Sequence, residues 1–261
     1  MSGASASLRD DRGLHYGDGL FETIRFVGAR APLWDWHLQR LAQGCERLGL
    51  PLPDSAMLAR RARRLAAVHA HSVVKLIVSA GSGPRGYARP QPLCPRVLAF
   101  VSPWMEPAPR PLSVRWCHTR LALQPALAGI KHLNRLEQVL ARAEWSDTSF
   151  DEGLMLDTQG NVIAATAANL FVRRDGHWLT PQVAACGIAG VARRWLIGKV
   201  GATEVPLDMA AVESAQACVL TNAVRGPRQV GQLAQRRWPV DDEVLILQGR
   251  WHSLFASEAA R

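Results

Sequence analysis

The sequence predicts a mixed α/β (α+β) chain in two lobes, and three observations carry that reading. Strand-like and helix-like stretches are mixed without a regular alternation, several strands come as tight hairpins, and "SPWMEPAPRP" sets four prolines in ten residues. Proline continues neither a ladder nor a helix interior, so this stretch marks a boundary. A small α/β lobe is expected over 1–104 and a larger one over 111–261, with the crossover between Pro103 and Gln124.

The elements follow in order. "LFETIRFVGARAPLW" reads as a strand, a tight turn at Gly28 and a second strand, because β-branched and aromatic residues flank the glycine. Asp35 is expected to cap a helix in which Trp36, Leu38, Leu41, Cys45 and Leu48 recur at helical spacing and Gly49 is the stop. Another helix runs from about Ser55 to Ala70. "SVVKLIVSAGSG" and "RVLAFVSPW" read as two largely buried strands around a Gly/Pro-rich loop. Beyond the boundary come a strand, "LSVRWCH", a loop carrying Lys131, and a helix from Asn134 to about Trp145. Two hairpins turn at Gly160 and Gly176, a helix begins after "ACGIAG", and another spans roughly Leu207 to Gln216. The strand "ACVLTNAV" leads to a final helix.

Composition narrows the function classes. A chain of 261 residues with 48% hydrophobic and 20% charged content is that of an ordinary globular protein. No window approaches the 18 or so apolar residues of a membrane helix, and "MSGASASLRDDRG" is polar where a signal peptide carries its apolar stretch, so the cytoplasm is expected. Five cysteines, odd in number, widely spaced and without a CxxC pair, indicate reduced thiols and neither a disulfide framework nor a metal site. The net charge of +9 admits a nucleic acid, an anionic membrane or a small acidic substrate. The arginines are scattered, however, and "ARRARRL" reads as the solvated side of a helix whose apolar positions lie elsewhere. A small acidic substrate is therefore expected, with no nucleic-acid and no membrane partner.

Chemistry is carried by three loops. Lys131 is one of three lysines among 28 arginines. A guanidinium stays charged, whereas an ammonium can lose its proton when desolvated and become a nucleophile or base. Read alone, the stretch is a surface lysine ahead of a helix sooner than a reactive one. In "GIAGVARRWL", Gly187 and Gly190 lead into a helix whose first amides, near Val191 and Ala192, lack intrahelical partners. Such an end suits a phosphate, or is simply a glycine-rich helix start. In "DRGLHYGDGLFETIR", three glycines punctuate aromatic and acidic residues, as a turn also would. With Arg40 the set supplies an amine, an amide nest and a guanidinium, which a pyridoxal phosphate site requires.

"LHYGDGLFETIR", "HLQRL", "SAGSGPRGY", "GIKHLNRLEQVLAR", "AANLF" and "TNAV", in this order and spacing, resemble the fold-type IV pyridoxal phosphate enzymes, and among them the aminodeoxychorismate lyases, from about Arg9 to Val230. "KHLNRLEQVL" is the most specific string. The resemblance implies a two-lobed fold-type IV architecture with the cofactor between the lobes, Lys131 in the larger one, and a homodimer. It implies that Lys131 holds the cofactor as a Schiff base and moves protons, that Arg40 and the amides of Val191 and Ala192 take its phosphate, and that Asn222 and Ala223 line it. Tyr16, Phe21 and Arg85 fall where the family builds its substrate pocket. The implied reaction converts 4-amino-4-deoxychorismate to 4-aminobenzoate and pyruvate, on the route to folate.

The sequence also departs from the family pattern. Ala164 stands seven residues before Phe171, where most members carry a glutamate for the pyridine nitrogen. Ala192 and Ala223 offer the phosphate no hydroxyl, so looser cofactor binding is expected. Only "MSGASASL" precedes Arg9, so a trimmed edge of the first sheet is expected. Three other readings stay open: a branched-chain or D-amino acid aminotransferase of the same fold, a cofactor-independent lyase with Lys131 as base, and a basic nucleic-acid-binding protein.

Overall fold

The computed structural model describes residues 8–146 and 148–256, so most of "MSGASASL", with the expectations placed on it, lies outside the described residues. Contacts divide the chain into two units, Met1–Trp104 with Ile130–Asn134, and Met105–Gly129 with Arg135–Arg261.

The first unit runs α1 (Arg12–Tyr16), β1 (Gly19–Val27), α2 (Trp34–Leu48), α3 (Ser55–Ala66), β2 (His71–Ser79) and β3 (Arg96–Pro103). Its three strands form an antiparallel sheet in the order β1-β2-β3. Alternation along the strands sorts the two faces: Ile24, Phe26, Val74 and Leu76 pack on Ala62 and Ala66 of α3, whereas Phe21, Thr23, Lys75 and Ile77 share the opposite face. The other edge of β1 takes up the lysine segment, because the Phe21 amide donates to Lys131 O (2.9 Å) and the Leu133 amide donates to Gly19 O (2.9 Å). For that reason Ile130–Asn134 groups with the first unit, whereas the sequence reading puts Lys131 in the larger lobe.

Four local expectations are corrected here. No second strand follows Gly28; a single bridge, Val27 to Arg30, closes the turn, and Pro32, lacking an N–H, could not extend the ladder before Trp34 starts a helix. Asp35 sits inside the first turn of α2 and the cap position is Leu33, with no side-chain bond. β3 is mostly half-buried or exposed, since it lies at the sheet edge. The segment before β1 forms a short helix because Asp11 accepts from the Gly13 and Leu14 amides.

The second unit contains β4 (Leu112–Trp116), α4 (Leu136–Arg142), β5 (Glu152–Leu156), β6 (Val162–Ala165), β7 (Asn169–Arg174), β8 (His177–Pro181), α5 (Val191–Val200), β9 (Thr203–Val205), α6 (Met209–Glu213), β10 (Ala217–Asn222), β11 (Gly226–Leu233), β12 (Arg236–Arg237) and α7 (Asp242–Leu254). Strand order is β10-β11-β4-β5-β6-β7-β8-β9, and an additional pairing of β10 with β7 closes six of these strands into a ring. Val114, Leu154, Val162, Leu170, Leu220 and Val230, one from each strand of the ring, belong to its main apolar cluster. β11 is not read from the sequence, since "GPRQVGQL" carries a proline and two glycines. Its first glycine is required by packing: a Cβ at Gly226 would run into the Trp251 ring of α7. α4 and α6 are both shorter than expected, and Arg135 already has a non-helical φ of −126°.

All five cysteines are free. Among the described residues no helix is long and apolar enough to cross a membrane, and no group of three or more His, Cys, Asp or Glu is placed to hold a metal ion.

Candidate active site

In the first unit the Lys131 amine lies against an aromatic ring. Lys131 Nζ stands 4.3 Å from the Phe21 centroid, and Lys75 Nζ stands 5.0 Å from the same centroid. Two of the chain's three lysines therefore share one phenylalanine, which they reach from the sheet edge and from β2.

Across the sheet, Glu22 points to the opposite face, toward α2. A spacing of three puts His37 and Arg40 on one side of that helix. Arg40 Nε donates to Glu22 Oε1 (2.8 Å) and Nη2 donates to Oε2 (2.6 Å), a bidentate pair, while His37 Nδ1 donates to Oε2 (2.7 Å). Burial by itself would raise the Glu22 pKa, but the charge and hydrogen bonds of Arg40, with the bond from His37, bring it down to about 2. Burial pushes His37 below its ordinary value, and the positive charges of Arg40 and Lys131 act in the same direction, against the bond to Glu22. The imidazole is accordingly neutral, with its proton on Nδ1, because a carboxylate can only accept.

Tyr16 and Arg85 are parts of one loop attachment. The Tyr16 hydroxyl accepts from the Gly86 amide (2.9 Å), and its ring meets Tyr87 edge-on at 5.5 Å. Arg12, buried, donates to the carbonyls of Gly86 (3.1 Å), Tyr87 (2.8 Å) and Ala88 (3.0 Å), so it fastens the same loop. Arg85 is exposed on that loop.

In the second unit, α5 starts at Gly190, which gives no side-chain cap, with Val191 and Ala192 buried behind it. Asn169 packs against this start, donating from Nδ2 to Ile188 O (2.8 Å), and a Cβ on Gly190 would collide with Asn169 Oδ1. Thr221 is the cross-strand partner of Asn169 and so projects from the same face. Its Oγ1 is buried without a hydrogen-bond partner among the described residues. An uncapped helix start beside an unsatisfied hydroxyl suits an anion. Asn169 and Thr221 are not picked out individually by sequence reasoning, although they are the first residues of the "NLF" and "TNAV" strings.

Asn222 is occupied with its own turn, donating to Ala167 O (3.1 Å) and accepting from the Val224 (3.1 Å) and Arg225 (2.9 Å) amides; Ala223, half-buried, lies within that turn. Ala164 lies in an apolar cluster with Met155, Ile163 and Cys186. The buried carboxylates of this unit are engaged elsewhere: Glu152 accepts from Thr166 Oγ1 and the Gly153 amide, Asp157 from the Gln159 and Asn161 amides.

The profile of the family described as amino-transferase class IV matches residues 19–233. A curated relative, aminodeoxychorismate lyase of Vibrio harveyi, is 36% identical over 188 residues, 70% of this chain and 69% of its own. The crystal structure of 4-amino-4-deoxychorismate lyase from Pseudomonas aeruginosa is 41% identical with a TM-score of 0.89, and the match covers 96% of both chains. A putative 4-amino-4-deoxychorismate lyase from Legionella pneumophila is 26% identical with a TM-score of 0.83, over 93% of this chain and 94% of that one. With a profile match that runs from β1 to the end of β11 and takes in Arg40, Lys131 and the α5 start, the chain belongs to the class IV aminotransferase family.

Proposed function

We propose that this protein is an aminodeoxychorismate lyase, which converts 4-amino-4-deoxychorismate to 4-aminobenzoate and pyruvate with pyridoxal phosphate. The observation that carries the reading is the Lys131 amine laid on Phe21, with a second ammonium, Lys75, on the same ring. An anionic substrate offering an amino group meets a nucleophile and a positive charge there.

The residues fit the cofactor at the phosphate end. In the second unit the amides of Val191 and Ala192 and the unsatisfied Thr221 hydroxyl suit a phosphate; in the first unit Arg40 offers a guanidinium for one, and Lys131 would be the covalent anchor. When bound, pyridoxal phosphate draws electrons from the carbon that bears the substrate's amine. With the cofactor in place, the Lys131 amine would take the proton from the carbon that bears the substrate's amine and return it to the departing enolpyruvyl group, which would leave as pyruvate. Phe21 covers one side of the lysine. Lys75 and the exposed Arg85 attract the substrate carboxylates. Aromatisation of the ring supplies much of the driving force, so the reaction tolerates Ala164, which cannot hold a proton on the ring nitrogen. Transamination depends more on that proton, which is why the aminotransferase reading ranks second.

The enzyme is proposed to act in the cytoplasm as a homodimer. Exposed Leu136, Val139 and Leu140 on α4 give it an apolar helix face for pairing. Purified protein given aminodeoxychorismate with and without pyridoxal phosphate should release pyruvate and aminobenzoate in equal amounts. Lys131→Ala should abolish both products and the absorbance band near the visible edge. Full activity in cofactor-stripped protein would instead favour Lys131 as a direct base, and conversion of an amino acid and a 2-oxo acid would favour the aminotransferase.

A further inference from the structure

The structure assigns Glu22 and His37 a role beyond holding the fold: we propose that they are positioning residues that fix the Arg40 guanidinium in the orientation needed to grip a phosphate. The inference rests on the reading of Arg40 as a phosphate ligand and adds what makes it one. Glu22 is 1% exposed, His37 2% and Arg40 9%, so the three meet where water does not compete. Both Glu22 oxygens are used by Arg40, and the His37 donor adds a third bond to Oε2, which leaves the carboxylate no rotational freedom. A planar guanidinium anchored through Nε and Nη2 has its plane fixed, and the direction of its remaining N–H groups is set by that plane. His37 acts through Glu22: its bond decides which way the carboxylate lies, and the carboxylate decides where Arg40 points. Since Glu22 stays ionised and His37 neutral across working pH, the clamp does not loosen with pH.

Phosphate selectivity tests this. Protein freed of cofactor is titrated with pyridoxal phosphate and with pyridoxal, which has the same aldehyde and ring but no phosphate, and absorbance reports binding of each. Glu22→Gln and His37→Leu should weaken pyridoxal phosphate about tenfold or more while changing pyridoxal less than about twofold, and His37→Asn, which keeps a donor for Glu22, should recover most of the difference. Equal losses for both ligands, or no loss in a variant that folds, would overturn the clamp. Should Glu22→Gln fail to fold because Arg40 is left buried without its partner charge, the His37→Leu and His37→Asn pair decides the matter. Failure of the underlying reading looks different: wild-type protein would then bind pyridoxal as well as pyridoxal phosphate, or Arg40→Met would leave the selectivity intact.

Discussion

Replacing Gly190 by alanine tests whether the helix start of the second unit is shaped by steric fit alone. Gly190 has φ −66° and ψ 143°, a conformation open to any L-residue, so no backbone strain enters. The added methyl would overlap Asn169 Oδ1 and stand 3.3 Å from its Cγ and 3.4 Å from Arg193 Cβ. Arg193 is held by Glu204 and the Pro181 carbonyl, which leaves Asn169 as the group that moves. Moving it breaks the 2.8 Å bond to Ile188 O and displaces a side chain only 7% exposed. Disturbing a buried, hydrogen-bonded amide costs about 1–3 kcal/mol. For a chain of this length each kcal/mol lowers Tm by about 2–4 °C. Urea unfolding followed by circular dichroism should show the loss in Gly190→Ala. In an Asn169→Ala background the same substitution should cost about 1 kcal/mol or more less, because the bond is already gone and the space is open. Strict additivity of the two changes, or a Gly190→Ala variant as stable as wild type, would refute the reasoning.

Two further outcomes are expected. Glu22 is lowered from its ordinary 4.5 to about 2, so its contribution is complete above pH 4.5 and is lost as pH falls toward 2; the drop is worth about 3 kcal/mol, and acid unfolding of Glu22→Gln should lack that limb, whereas an unchanged acid profile would remove the assignment. Leu140→Asp on the exposed face of α4 should convert a dimer to a monomer in sedimentation with little loss of monomer stability, and a wild-type chain that sediments as a monomer would defeat the pairing surface.

The legibility of this chain follows the range of the interactions involved. Helices α2 and α3 are readable because their signals are local: Gly49 closes the first in the left-handed conformation and Asp54 caps the second. Lys131 stands out by residue type alone, and Arg40 through "HLQRL". What escapes is whatever depends on strand register. Thr221 and Asn169 lie far apart in the chain and become neighbours only when β10 pairs with β7, and periodicity shows which faces alternate but not which strands meet. Glu22 escapes for a related reason: in "FETIR" it looks like an outward charge in a strand, and only the packing of α2 on that face makes it the buried partner of Arg40.

Ala164 shows the same limit from the other side. Its identity is plain in the sequence, and the loss of a carboxylate can be read from it directly. Whether another residue makes good that loss is a question of three-dimensional neighbours. Met155, Ile163 and Cys186 share an apolar cluster with Ala164, while Glu152 and Asp157, the buried acids of this unit, accept from nearby backbone amides. Burial pushes the Cys186 thiol up to about 11, so it too stays uncharged at neutral pH. On the proposed reading Ala164 itself offers a pyridine nitrogen no carboxylate, and the chemistry best served by that substitution is one whose product, an aromatic ring, supplies the driving force itself.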